Sequence, residues 1–201
     1  MAALALSIFL IWMLVTFIGK SVAMKRKTGF SGFHGMADDE APTARLAGGL
    51  IIIGTIGALI APILELVGAI GPFVSMTDDW IGWVGLALTV VGAIVSLVAQ
   101  AAMGESWRIG VDPGERTELV TGGLFRWSRN PFFGAVYVFA LGLFLMVPNP
   151  VSVVAGLCLF IGFEIQVRVV EEPNLRAVFG EEYEDYGRRV GRFAPGIGRF
   201  G

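Results

Sequence analysis

The chain alternates between long apolar runs and short polar interruptions, and the runs set its first reading. Windows of about 20 apolar residues match the length at which a helix crosses a bilayer core. Five spans are predicted on that basis, at roughly 2–22, 44–70, 80–102, 132–147 and 150–169. "KRKTGFSGFHGMADDEAPTA" separates the first two and "GPFVSMTDD" the next two. "PNP", at 148–150, joins the last two as a tight helical hairpin. Beyond 170 the chain turns charged, with Tyr183, Tyr186 and Phe179 placed to pack in an amphipathic segment while Arg188, Arg189 and Arg192 face head groups.

Composition agrees with a membrane protein: 55% of the 201 residues are hydrophobic and only 16% are charged, against about 25% in soluble domains. The first run lacks a basic residue before it and a small-residue cleavage site after it, so it is expected to stay as a helix. The net charge of −2 gives no footprint for nucleic acid. One cysteine, Cys158, and one histidine, His34, allow no disulfide and no clustered metal site. All 15 Lys and Arg fall in the first loop, the third loop, the tail or the adjoining helix ends. The amino terminus is therefore expected outside and the tail in the cytoplasm, in the inner membrane if the source is bacterial. Trp80 and Trp83 then belong to the outer interface, Trp107 and Trp127 to the inner one.

Chemistry-bearing residues concentrate at the basic end. In "TELVTGGLFRWSRNPFF", 117–133, two glycines permit close backbone approach to a ligand or an ordinary turn. Arg129, Asn130 and Pro131 suit the cap and first turn of a helix, whose amino terminus also suits an anion. Glu164, Arg168 and Glu172 are spaced by four and predict one helix face, with Glu171 three from Arg168. Such groups at membrane depth mark either an ion-pair ladder or a functional cavity. Glu65 reads as a snorkelling or interhelical residue.

In order, "SWRIGVD", "TELVTGGLFRWSRNPFF", a short hairpin, "EEPNLRAVFGEEYEDY" and "VGRFAP" resemble the isoprenylcysteine carboxyl methyltransferase family, itself related to phospholipid N-methyltransferases. The resemblance covers about 104–195. It implies an all-α integral membrane bundle of five transmembrane helices. A cytoplasmic cofactor pocket would be formed by the third loop, the hairpin and the tail. The whole chain, 1–201, would be one domain, with three N-terminal spans in 1–103 and the motif region in 104–195. The implied methyl donor is S-adenosyl-L-methionine. Its backbone segment falls on Thr117, Glu118, Leu119 and Val120, its aromatic position on Phe125, and the Arg-His-Pro-x-Tyr motif on Arg129, Asn130, Pro131 and Phe133. The glutamate that engages the cofactor falls on Glu171. Glu171, Glu172 and Arg168 are the catalytic candidates, no metal is implied, and Arg129 or Arg192 is placed for the donor's carboxylate.

The sequence departs from the pattern where Asn130 replaces histidine, Phe133 replaces tyrosine and Ala135 stands at a usual glycine. Pro173 follows the glutamate pair, and Val167 occupies the position of an arginine assigned to substrate, with Arg168 beside it. The implied acceptor is a lipophilic small molecule or lipidated substrate, methylated on a carboxylate or thiol within membrane lipid. No nucleic acid and no obligate protein partner are expected. Phospholipid amine methylation, an NADPH-dependent membrane sterol or lipid reductase of related architecture, and a non-enzymatic lipid-binding protein remain open alternatives.

Overall fold

The computed structural model describes residues 1–28, 41–104 and 119–201, and every regular element among them is helical. Thr117, Glu118, Trp107 and His34 lie outside the described residues. Helix α1, Ala2–Met13, runs through a π-helical turn, Leu14–Gly19, into α2, Lys20–Thr28. Then follow α3, Pro42–Leu66, α4, Asp79–Ala102, and α5, Pro131–Met146. Helix α6, Pro150–Ile165, passes through a second π-helical turn, Gln166–Glu171, into α7, Glu172–Phe179, and α8, Glu181–Arg189, closes the order.

Four of these stretches, Ala2–Val22, Pro42–Leu66, Asp79–Ala102 and Pro150–Phe179, are long and apolar enough to cross a membrane, so the protein is an integral, multi-pass membrane protein. The fourth run in the chain, expected as the fourth of five spans, is only 16 residues as a helix. Prolines clip it at both ends. Pro131 opens it at its first position, and the Pro148–Pro150 hairpin follows directly on Val147. In that hairpin Asn149 caps α6, its side chain accepting from Ser152 N at 3.0 Å. Phe73 N donates to Pro148 O at 2.7 Å, which ties the two loops at this end of the bundle together.

Helix α4 packs along α5 and α3 along α6, while α1 lies across both pairs through α3 and α5. The core between them holds Phe9, Trp12, Phe139 and Phe163, with Trp12 stacked on Phe139 at 4.4 Å between centroids. Polar groups fix the register of α1 on α4: Trp12 Nε1 donates to Ser96 Oγ at 2.8 Å, and Gln100 Nε2 to Thr16 O at 2.8 Å. A wrong register would leave those groups unbonded in an apolar interior. Close approach of α4 to α5 depends on Gly92, where a Cβ would lie 2.5 Å from Phe139 N and 2.8 Å from Ala135 O. Both are backbone atoms and cannot rotate away. Gly92→Ala is expected to destabilise the bundle by about 1–3 kcal/mol, measured by thermal unfolding in detergent, although alanine is the better helix former.

Candidate active site

Opposite the Phe73–Pro148 end, three separated stretches of chain meet. The first enters at Leu119, which packs against Tyr183 and Tyr186 of α8. It then makes a 3₁₀ turn at Gly123–Arg126, with Gly123 at φ +57°, and buries Phe125. The Phe125 carbonyl accepts from the Tyr186 hydroxyl at 2.6 Å. Before α5 begins, this stretch lies beside the tail. Arg129 N donates to Gly191 O at 2.8 Å and Asn130 N to Arg192 O at 2.9 Å. Asn130 sits at the N-cap position of α5 without using its side chain as a cap; its Nδ2 donates instead to Arg192 O at 3.2 Å.

A buried ion cluster joins the three stretches. Glu172 is 3% exposed, and its Oε1 accepts from Arg129 Nη2 at 2.6 Å and from Arg192 Nε at 2.7 Å. Its Oε2 accepts from Arg192 Nη2 at 2.9 Å, so Arg192 grips the carboxylate with two parallel bonds. Arg129 is also buried and donates to Val190 O at 2.5 Å, Gly187 O at 3.1 Å and Gly198 O at 3.1 Å. Removing these charges from water is costly. The density of charge-assisted bonds offsets that cost, and losing any one partner exposes it. Hydrogen bonding to Glu172 also holds the Arg192 guanidinium further toward its charged form.

Glu171, next in the chain, is different. It is half-buried, lies beside Gln166, and makes no ion pair among the described residues. The π-helical turn separates it from the residues read as its neighbours. A regular helix would place Glu164, Arg168 and Glu172 on one face. The wider turn over Gln166–Glu171 shifts the register, and Pro173 supplies no N–H to restore it. Glu172 therefore turns inward to the arginines. Arg168 stays outside, 56% exposed and paired with Glu164. The single-face expectation is thus corrected by the local backbone.

Of the remaining predicted residues, Pro131 starts α5, Val120 is half-buried beside Leu119, and Phe133 packs on Phe163 at 4.7 Å. A cleft of about 340 Å³ opens alongside, lined by Thr121, Arg126, Tyr186, Arg189 and Val190. Sequence reasoning assigned no role to Gly187, Gly198 or Phe200, and placed Arg192 among head groups or at the donor's carboxylate rather than against Glu172. The only advance signal was the density of glycine and arginine in "GRRVGRFAPGIGRFG".

Tyr183 is the most buried large side chain here, and its hydroxyl makes no hydrogen bond among the described residues. Burial, then the Glu172 carboxylate, pushes that hydroxyl up to about 12 from an ordinary 10.0. An unfolded tyrosine ionises first, so the folded protein loses this contribution as pH rises from about 10 to about 12. Tyr183→Phe is expected to leave stability at neutral pH unchanged or raise it by up to about 1 kcal/mol, and to flatten part of the alkaline loss. Unfolding midpoints across that pH range check both.

The family described as phospholipid methyltransferase matches residues 80–182. A probable protein-S-isoprenylcysteine O-methyltransferase of Oryza sativa subsp. indica is 30% identical over 62% of this chain and 67% of its own length. Protein-S-isoprenylcysteine O-methyltransferase A of Arabidopsis thaliana is 31% identical over 69% of this chain and 72% of its own. The chain belongs to this family of membrane methyltransferases. The solved structure of a eukaryotic intramembrane Ras methyltransferase, ICMT, superposes with a TM-score of 0.62 over 96% of this chain and 67% of that one. At 20% identity that likeness concerns the fold. Family membership makes the protein a methyltransferase, and its reaction draws on a methyl donor.

Proposed function

We propose that the protein transfers a methyl group from S-adenosyl-L-methionine to the carboxylate of an isoprenylcysteine-like, lipid-tailed acceptor. The observation that carries this reading is the pairing of Glu172 with Arg129 and Arg192, which draws the 119–130 stretch, the glutamate pair and the tail to one end of the bundle. Beside that cluster, Glu171 offers a carboxylate with no cation of its own among the described residues. That chemistry fits a ligand carrying an ammonium and a sulfonium.

In this reading Glu171 binds the donor's ammonium. Leu119 and Val120, with Thr117 and Glu118 before them in the chain, would hold its adenosine, and Phe125 and Phe133 would supply apolar walls. Arg129, Asn130 and Pro131 fix the floor of the site, and Arg192 or Arg129 lies toward the donor's carboxylate. Arg168 sits on the acceptor side. When bound, the donor supplies an electrophilic methyl carbon. A bond from that carbon to an acceptor oxygen forms as the carbon–sulfur bond breaks, and no proton moves. The residues' work is then alignment and exclusion of water, worth several kcal/mol and up to roughly 7–11 in ideal intramolecular cases. Low polarity around opposite charges that cancel in the transition state assists further, less the cost of bringing them in.

The saturation of Glu172 favours a carboxylate acceptor. Both its oxygens are occupied by arginines, which leaves no spare base in the cluster for an amine to lose a proton to. The family match to phospholipid methyltransferases supports amine methylation as a second reading, with Glu171 as base. The whole chain acts as one domain, with the 104–195 region serving the donor. Helix α5 is the fourth of five crossings, and the basic end faces the cytoplasm. Reconstituted protein with labelled donor tests this directly. Label is expected on a farnesylated cysteine bearing a free α-carboxyl. Label on phosphatidylethanolamine instead moves the assignment to the second reading, and label on neither counts against both.

A further inference from the structure

The tail beyond Pro195 lies outside every motif read from the sequence and outside the residues matched by the family, yet it closes the buried ion cluster. Ala194 O accepts from Ile197 N at 3.2 Å, and Arg192 N donates to Ile197 O at 2.7 Å, which folds the chain back on itself. The return leg places Gly198 O on Arg129 Nη2 and then inserts Phe200. The Phe200 ring lies with both the Arg129 and the Arg176 guanidinium carbons 4.2 Å from its centroid. Tyr183 meets it edge-on at 5.8 Å, and Phe200 N donates to Gly187 O at 3.0 Å. Gly187 is a notch for this ring: a Cβ there would collide with Phe200 Cδ2 and Cε2.

We propose that Phe200 is a positioning residue for methyl transfer. Its ring clasps the Arg129 guanidinium, and through the Arg129–Glu172 pair it sets where Glu171 meets the donor. The chemistry is particular to an aromatic ring. The two guanidinium groups carry like charge, and a π face attracts both where an aliphatic side chain attracts neither. Arg176 is otherwise committed to Glu184 at 2.7 Å, so the ring also ties α7 and α8 to the tail. The proposal rests on the donor assignment of Glu171 above.

Three variants test it: Phe200→Leu, which keeps apolar bulk without a π face; Phe200→Tyr, which restores the face; and Gly187→Ala, which pushes the ring out from the other side. Each is purified in detergent as the full chain. Calorimetry with S-adenosylhomocysteine is expected to show affinity reduced roughly three- to thirtyfold in Phe200→Leu and in Gly187→Ala, and within about twofold of wild type in Phe200→Tyr. The Gly187→Ala/Phe200→Leu double variant is expected to lose no more than either alone, because both remove one contact. Hydrogen exchange without any donor gives a second readout. The amides of Arg129 and Asn130, bonded to the tail, are expected to exchange faster in Phe200→Leu and at the wild-type rate in Phe200→Tyr. Undiminished affinity in Phe200→Leu, or Tyr failing as badly as Leu, overturns the proposal. Wild-type protein that does not bind S-adenosylhomocysteine overturns the donor reading and the positioning role together. Exchange that responds as expected in that case leaves the clasp itself standing.

Discussion

Glu171→Ala is expected to cost donor affinity about 2–5 kcal/mol, roughly thirtyfold to several thousandfold, while the protein stays folded. The affinity loss follows from removing the charged partner of an ammonium in a site partly shielded from water. Retention of fold follows from what Glu171 lacks. It has no ion pair among the described residues, so its removal strands no buried cation. Calorimetry with S-adenosylhomocysteine and thermal unfolding of the same sample separate the two effects. Unchanged affinity would remove Glu171 from the site. Glu171→Gln keeps the shape and a hydrogen-bonding oxygen but loses the charge, and is expected to fall between alanine and wild type.

Its neighbour should behave in the opposite way. Glu172→Ala leaves the Arg129 guanidinium buried with its counter-charge gone and removes both bonds that hold Arg192. Breaking one side of such a buried cluster typically costs about 3–5 kcal/mol. The expected result is a large fall in the unfolding midpoint in detergent, with donor binding lost as a consequence. Arg168→Ala supplies the contrast. That ion pair is 56% exposed on the arginine side and is expected to contribute at most about 1 kcal/mol. Three charged residues within five positions are thus expected to give three different outcomes: loss of ligand, loss of fold and almost no change in stability. A midpoint for Glu172→Ala within 1 kcal/mol of wild type would argue that water reaches the cluster.

How much of this was legible beforehand depends on the kind of signal. Apolar runs give crossings because the cost of unbonded backbone in lipid leaves helices as the open-ended solution. The five runs accordingly all appear as helices in the expected places. The resemblance placed Arg129 and the glutamate pair in one neighbourhood; Arg129 and Glu172 do pair, and Glu171 makes no ion pair among the described residues. Helical spacing held from Glu164 to Arg168, which pair, and failed from Arg168 to Glu172, because a π-helical turn spans 166–171 and counting by fours assumes a regular turn. Asn130 was read as a cap because Asn before Pro favours one; a backbone carbonyl from the tail competes for its amide and wins. Phe200 and Gly187 were invisible for a further reason. Their relation is a ring filling a notch between residues 13 positions apart, and no periodicity records shape.

The shortness of α5 carries a consequence for where in the membrane the chemistry lies. Sixteen residues rise about 24 Å, whereas a bilayer's hydrocarbon layer is about 30 Å thick. Either the lipid around α5 thins or its Asn130 end sits below the level of the phosphates. If α5 crosses as proposed, thinning keeps the ion cluster at the level of the head groups, whereas an unthinned layer draws it down to the depth of the upper acyl carbons. A greasy molecule diffusing sideways in the leaflet then presents its polar tip to the site without first being lifted into water.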